Sequence, residues 1–420
     1  MVRFRIFSRY ITSNDQFFGL LYLLILSIIC MFITPWVITQ DGVLYLSSGQ
    51  SLFDSEIYKF YHWMREPLYP LLISLTLPKG GLAALFFLQG VLLSSAIFII
   101  FYILNKFLPL KIYQYYILIS LSFIFNRGYI TVVLMQSLML FVISVFALFA
   151  KEISNLNNIK KLPMLVWFPL TLSYYTSLIL GICLSLSIIG ISIVNNNLNY
   201  RLKMSSILIT ILMSLTIYLP WQIIKNNALE RNEMLFTLVE VQKYKFYESN
   251  LLPKIYEQQI QAFTGNLGLG VERDAFMSQP VGFALKSWAL PTFNDNIFNR
   301  NTNCGIVAEY NENFLNYIKS MKISLPCKTD NQILISNLLS YLGILIYPFF
   351  SVILIFGLGF LILFPKSKLV SITILPYILL IAYSFLGQGH SRFAAPLFVV
   401  SPAIMYYFIK IRSRLTKEII

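Results

Sequence analysis

Charge is scarce in this chain: only 12% of its 420 residues are Asp, Glu, Lys or Arg, and histidine occurs twice. A soluble domain usually carries about twice that charge density, so the composition argues against a water-soluble globule. Cysteine is sparse as well, four in all, and no Cys/His cluster has the spacing of a zinc site. No glycine-rich phosphate loop with its lysine occurs, and no strand–GxSxG–helix nucleophile elbow. These absences argue against an ATP-driven pump and against a soluble-type hydrolase. Barrel-type alternation, internal repeats, coiled-coil heptads and low-complexity linkers are missing too.

What the chain has in surplus is apolar side chains, 57% of residues with a mean hydropathy of +0.70. They fall in runs long enough to cross a bilayer, whose core needs roughly 20 helical residues. No water is available there, so backbone polar groups must be satisfied within the segment and the runs are helices. Ten spans are expected: Phe17–Ile38, Leu82–Leu104, Ile112–Phe125, Thr131–Ala150, Leu162–Ser177, Leu178–Val194, Met204–Trp221, a run within Ile335–Phe364, Leu369–Leu386 and Phe393–Ile411. The first follows Arg3, Arg5 and Arg9 and ends in Thr34-Pro35-Trp36. Its core is longer than that of a signal peptide and has no small-residue cleavage site, so it reads as a retained span.

Charge orients these spans. With a cytoplasmic N-terminus, the segments 1–16, 105–111, 151–161, 195–203, 365–368 and 412–420, with Lys410, lie inside; they hold 16 of the 32 basic residues and three of the 18 acids. Nearly the whole net charge of +14 thus sits on one side, as the positive-inside rule requires. The basic balance is a topology signal, and nucleic-acid binding is not needed to explain it. The expected fold is an all-α polytopic membrane protein with both termini cytoplasmic. Its parts are an N-terminal transmembrane module over 1–222, an extracytoplasmic segment over 223–333 and a C-terminal transmembrane module over 334–420.

The first external loop, 39–80, is expected to carry an interfacial helix over Ser51–Met64, with apolar residues at helical spacing. A short re-entrant or interfacial helix follows over Pro67–Leu77, where proline suits the first turn. Cys304 and Cys327 both fall in the large external segment. In an oxidising compartment a disulfide between them is favoured over two free thiols.

The polar residues that can carry chemistry collect on the outer side. Asp41 follows the first span; a carboxylate at a membrane boundary is costly and often functional where it faces a cavity, although a solvated turn aspartate beside Gly42 would read the same. Arg65 and Glu66 precede Pro67-Leu68-Tyr69-Pro70, where they either hold a ligand or pair with solvent at a helix start. His390 and Arg392 lie in the short connection before the last span, and arginine suits a phosphate because its planar fork donates two bonds at once. As a plain alternative, Arg392 anchors a span end at the headgroups. Arg127 and Lys225 sit at outer span ends, where an interfacial role is the simpler reading of each alone.

Taken in order, these pieces resemble the GT-C glycosyltransferases, multi-span enzymes that take sugars from polyprenyl-phosphate carriers, and within them the dolichyl-phosphate-mannose mannosyltransferase and aminoarabinose transferase-like group. Asp41-Gly42-Val43-Leu44-Tyr45 is similar to the acidic residue and spaced tyrosine of that superfamily's first external loop. Arg65-Glu66-Pro67-Leu68-Tyr69-Pro70 is similar to its juxtamembrane helix, with Gly80-Gly81 opening the second span. Leu219-Pro220-Trp221-Gln222 with Lys225-Asn226-Asn227 resembles the Pro-Trp…Arg-Asn segment, and His390-Ser391-Arg392-Phe393 through Pro396 resembles the His-x-Arg-Tyr…Pro step. Lys225 stands where arginine is usual and Phe393 where tyrosine is usual.

The resemblance implies an inverting transfer on the extracytoplasmic face of the cell membrane, with Asp41 as general base. The leaving phosphate would be stabilised by Arg392 first, then Lys225, Arg65 and Arg127, with His390 as a donor and Glu66, Tyr69 and Tyr45 lining the site. The implied partners are a polyprenyl-phosphate-linked sugar donor, a glycan acceptor such as O-antigen or a lipid-linked oligosaccharide, and the bilayer. No obligatory cofactor is implied, although some GT-C enzymes use a divalent ion. The rival readings are an O-antigen polymerase or ligase, and a flippase or transporter of a lipid-linked glycan. Transport fits less well, because the spans hold almost no charge along a pathway.

Overall fold

The computed structural model describes residues 10–34, 36–38, 40–50, 65–107, 109–154, 159–195, 198–229, 306–307, 326–335 and 338–339. Helix α1 (Ser13–Ile33) begins at a capping box: Asp15 N donates to Thr12 Oγ1 at 3.3 Å and Thr12 N donates to Asp15 Oδ2 at 2.8 Å. Those bonds satisfy N–H groups that a helix start leaves open, and they place the start ahead of the expected Phe17. The helix stops short of the expected Ile38 because Pro35 follows, and the residue before a proline is driven out of the α region. Thr34 is accordingly extended, at φ −94° and ψ 135°.

Strand β1 (Val37–Ile38) and helix α2 (Gln40–Gln50) follow, and then helix α3 (Leu68–Phe107). The expected Ser51–Met64 helix lies outside the described residues. In α3 the juxtamembrane helix and the next span are joined across Gly80, at φ −153°, ψ 19°, and Gly81, at φ 59°, ψ −154°. The Gly81 conformation is essentially reserved for glycine, so the Gly-Gly pair redirects one helix into the next without a loop.

Helices α4 (Ile112–Asn126), α5 (Gln136–Ser154), α6 (Leu162–Thr176), α7 (Leu178–Val194) and α8 (Tyr200–Leu229) complete the main body. Four helices, α1, α3, α5 and α8, are long and apolar enough to cross a membrane, and α4 and α7 are shorter apolar helices. Seven of the ten expected spans thus have helical counterparts, while the three beyond Ile335 lie almost wholly outside the described residues. Helix α8 continues to Leu229, past the expected boundary at 222. A two-residue parallel pair joins β1 to β2 (Ile306–Val307).

Helix α5 is the most enclosed of the long helices, with 76% of its apolar stretch buried, against 28% for α1 and 33% for α8. It packs on α3, α6 and α7; α1 and α4 flank α3 on one side, and α8 closes against α6 and α7 on the other. The rim helices turn Phe17, Ile25 and Phe32 of α1 and Leu208 and Leu215 of α8 outward, as helices bordering lipid do. Close approach inside the bundle uses small residues, as is usual between helices in a membrane: Ser27 Oγ lies 2.9 Å from Ser94 Oγ, and a Cβ on Gly90 would meet Ser27 at 3.0 Å.

The connections separate into two ends. At one, Ile11 N donates to Leu110 O at 3.0 Å, Asn195 Nδ2 to Ile153 O at 3.4 Å and Lys203 Nζ to Ile193 O at 2.6 Å. At the other meet the segments around residues 34, 66, 89, 130 and 225.

Candidate functional site

The second end holds a connected set of polar and aromatic groups. Tyr45 of α2 packs edge-on against Tyr69 of α3 with ring centroids 4.9 Å apart, and the Arg65 guanidinium lies 5.0 Å from the Tyr45 ring centre. A cation over a ring face at that distance is attracted by its quadrupole. Glu66 next to it accepts from Lys225 Nζ at 3.4 Å. Lys225 comes from the last turns of α8 and is nearly buried, at 6% side-chain exposure against 18% for Glu66, so the pair is shielded more than a surface salt bridge.

Inward from this pair, the Tyr69 hydroxyl donates to Gln89 Oε1. Gln89 Nε2 lies 2.9 Å from each of the carbonyls of Tyr129, Ile130 and Val132, which share its two N–H groups. That amide explains why α5 starts at Gln136 rather than at the expected Thr131: it captures carbonyls of the preceding turn, and the chain crosses the mouth before re-entering a helix. The turn begins at Arg127, which is buried at 3% exposure; its Nη1 donates to Thr34 Oγ1 at 3.4 Å, and Cys30 Sγ donates to its carbonyl at 3.7 Å. Burial pushes the Arg127 guanidinium down from its ordinary value, and Cys30 opposes that shift. An arginine nevertheless stays charged in proteins, so a fixed positive charge sits beneath the mouth.

Trp221 Nε1, Gln136 Oε1, Thr131 Oγ1 and Asn126 Oδ1 are buried at this end with no hydrogen-bond partner among the described residues. Each such atom costs roughly 1–3 kcal/mol of desolvation unless something fills it.

The structure therefore brings together Tyr45, Arg65, Glu66, Tyr69 and Lys225, and buries Arg127 at the same end of the bundle. Asp41 lies in α2, whose far end presses on α3 so tightly that a Cβ on Gly49 would meet Ile73 Cγ2 at 2.5 Å and Pro70 O at 3.0 Å. His390, Arg392 and Cys304 lie outside the described residues, whereas Cys327 is described and exposed. Tyr174 packs on Tyr218 at 5.5 Å and bonds Ser185, which makes it a packing residue. Among the described residues, no group of three or more His, Cys, Asp or Glu comes together to hold a metal ion.

Gln89, Thr34 and Lys328 are the participants that reading the sequence by motif passes over. A signal existed for Gln89, an amide inside an apolar run, because such residues are costly in a bilayer. Compared with known families, with curated proteins and with solved structures, the chain matches none.

Proposed function

We propose that this protein is a membrane glycosyltransferase that moves a sugar from a polyprenyl-phosphate carrier to a cell-envelope glycan, with inversion, on the extracytoplasmic face of the cell membrane. The observation that carries the reading is the Lys225–Glu66 pair at 3.4 Å, which joins positions 159 residues apart. It unites the Pro-Leu-Tyr-Pro helix start with the Pro-Trp…Lys-Asn segment, and the Arg65–Tyr45 contact adds the motif that contains Asp41. Three of the four motifs in the GT-C resemblance thus meet at one end of the bundle. The cations and unpartnered buried polar atoms there suit an anionic, hydroxyl-rich ligand, and the charge asymmetry puts that end outside.

In this reading the acceptor hydroxyl attacks the anomeric carbon while Asp41 takes its proton. The bond from that carbon to the phosphate oxygen breaks, and its electron pair leaves with the polyprenyl phosphate. Lys225, Arg65 and Arg392 offset the charge that develops there, and the base and the held acceptor supply proton removal and proximity. The Cys304–Cys327 disulfide belongs to the same proposal, as a staple of the external segment.

The test is transfer by the purified protein in nanodiscs from a panel of polyprenyl-phosphate monosaccharides to an envelope-glycan acceptor. Wild type is expected to transfer one of them, and Asp41→Asn to lose transfer with its thermal midpoint unchanged. Full transfer by Asp41→Asn would remove that residue as base.

A further inference from the structure

Two contacts between the external segment and the rest of the described protein lie at the exit of α1. Lys328 is nearly buried and donates from Nζ to the Met31 carbonyl at 3.1 Å, with its ammonium 5.3 Å from the centre of the Trp36 ring. Trp36 donates to the same carbonyl through Nε1 at 3.1 Å, and its ring packs edge-on against Phe86 of α3 at 5.2 Å. Met31 lies in the last turn of α1, where carbonyls lack intrahelical partners and the dipole favours a cation. One carbonyl with two lone pairs thus takes both donors. The second contact is the parallel pairing of Val37 with Ile306 and of Ile38 with Val307.

These contacts bracket one short strap, residues 31–38, which leads directly into α2 and Asp41. Thr329 follows Lys328 and caps the helical turn at 330–335, with Thr329 N donating to Gln332 Oε1 at 2.9 Å. The bond at Lys328 therefore belongs to an ordered junction.

We propose that Lys328, Trp36 and the β1–β2 pair form a clamp by which the external segment holds the strap leading to Asp41, and that Lys328 is a positioning residue for the transfer. The positioning role rests on the glycosyltransferase reading, whereas the clamp does not. Lys328 acts through Trp36 and the strap. Its loss is expected to lower kcat with little change in KM for the donor, because the strap and not the phosphate cations is released. Arginine at 328 keeps both the donor and the cation over the ring and is expected to restore the rate.

The experiment compares full-length wild type, Lys328→Met, Lys328→Arg and Trp36→Phe in nanodiscs by backbone hydrogen exchange and by sugar transfer. Exchange over residues 36–45 should quicken about tenfold in Lys328→Met and in Trp36→Phe, the scale of one lost charge-assisted bond. It should be unchanged in α5 and return to wild type in Lys328→Arg. Unchanged exchange in Lys328→Met overturns the clamp. Faster exchange with an unaltered kcat overturns the positioning role. A wild type that transfers no sugar overturns the glycosyltransferase reading and the positioning role with it, while exchange still decides the clamp. If Lys328→Met does not fold, Trp36→Phe carries the same comparison.

Discussion

At the scale of single residues, the mouth of the bundle depends on Gln89, whose amide serves Tyr69 and three carbonyls at once. Gln89→Leu fits the volume but takes away the acceptor of the Tyr69 hydroxyl and the side-chain donor to the Ile130 carbonyl, while Tyr129 O keeps Ser137 Oγ and Val132 O keeps Leu134 N. A loss of roughly 1–3 kcal/mol per stranded group is expected, read as a lowered thermal midpoint in detergent. Adding Tyr69→Phe removes one stranded group, so the double variant should lose less than the sum of the singles. The ion pair gives a second prediction. Glu66→Gln leaves the nearly buried Lys225 without its counter-charge, and such losses approach about 3–5 kcal/mol for fully buried pairs; partial exposure of Glu66 at 18% reduces that. Glu66→Gln combined with Lys225→Met should be more stable than Glu66→Gln alone, in the same melting assay. The types of Arg65, Glu66, Tyr69 and Lys225 and their place at the ends of apolar runs are legible in the sequence. Their pairing is not, since nothing local tells residue 66 that it meets residue 225. Arg127 shows the converse: its position at the turn after an apolar run is legible, but its burial against Thr34 comes only from packing.

At the scale of elements, helices can be read from apolar runs because a bilayer permits little else. Their ends are set by local chemistry that hydropathy does not see. The Thr12–Asp15 box begins α1, Pro35 ends it, and the Gln89 amide delays α5. The Gly80-Gly81 break can be anticipated from two adjacent glycines before an apolar run, and the left-handed Gly81 makes it specific. Gly81→Ala meets no neighbouring atom, so its cost is conformational alone, about 1–3 kcal/mol. It should lower the midpoint and quicken exchange at residues 65–69, because the juxtamembrane helix would be re-aimed. Gly80→Ala is a different case, since its Cβ would meet Ala84 Cβ at 2.8 Å.

At the scale of the whole molecule, charge predicts a two-sided arrangement, with the basic segments inside and the Arg65–Lys225 cluster outside. A cysteine placed at Asn227, exposed at the end of α8, should react in intact cells with a membrane-impermeant thiol reagent. One placed at Asn199, exposed at the opposite end, should react only after the membrane is opened. The reverse pattern would invert the topology and put the cluster in the cytoplasm.

The most direct test of the central claim uses membranes from cells lacking the gene, supplied with polyprenyl-phosphate monosaccharides and reconstituted with wild type or Asp41→Asn. Sugar transfer to envelope glycan that appears with wild type and not with the variant is the predicted result. No added sugar in the presence of wild type, with a change in glycan chain length instead, would contradict the account and assign the protein to polymerisation.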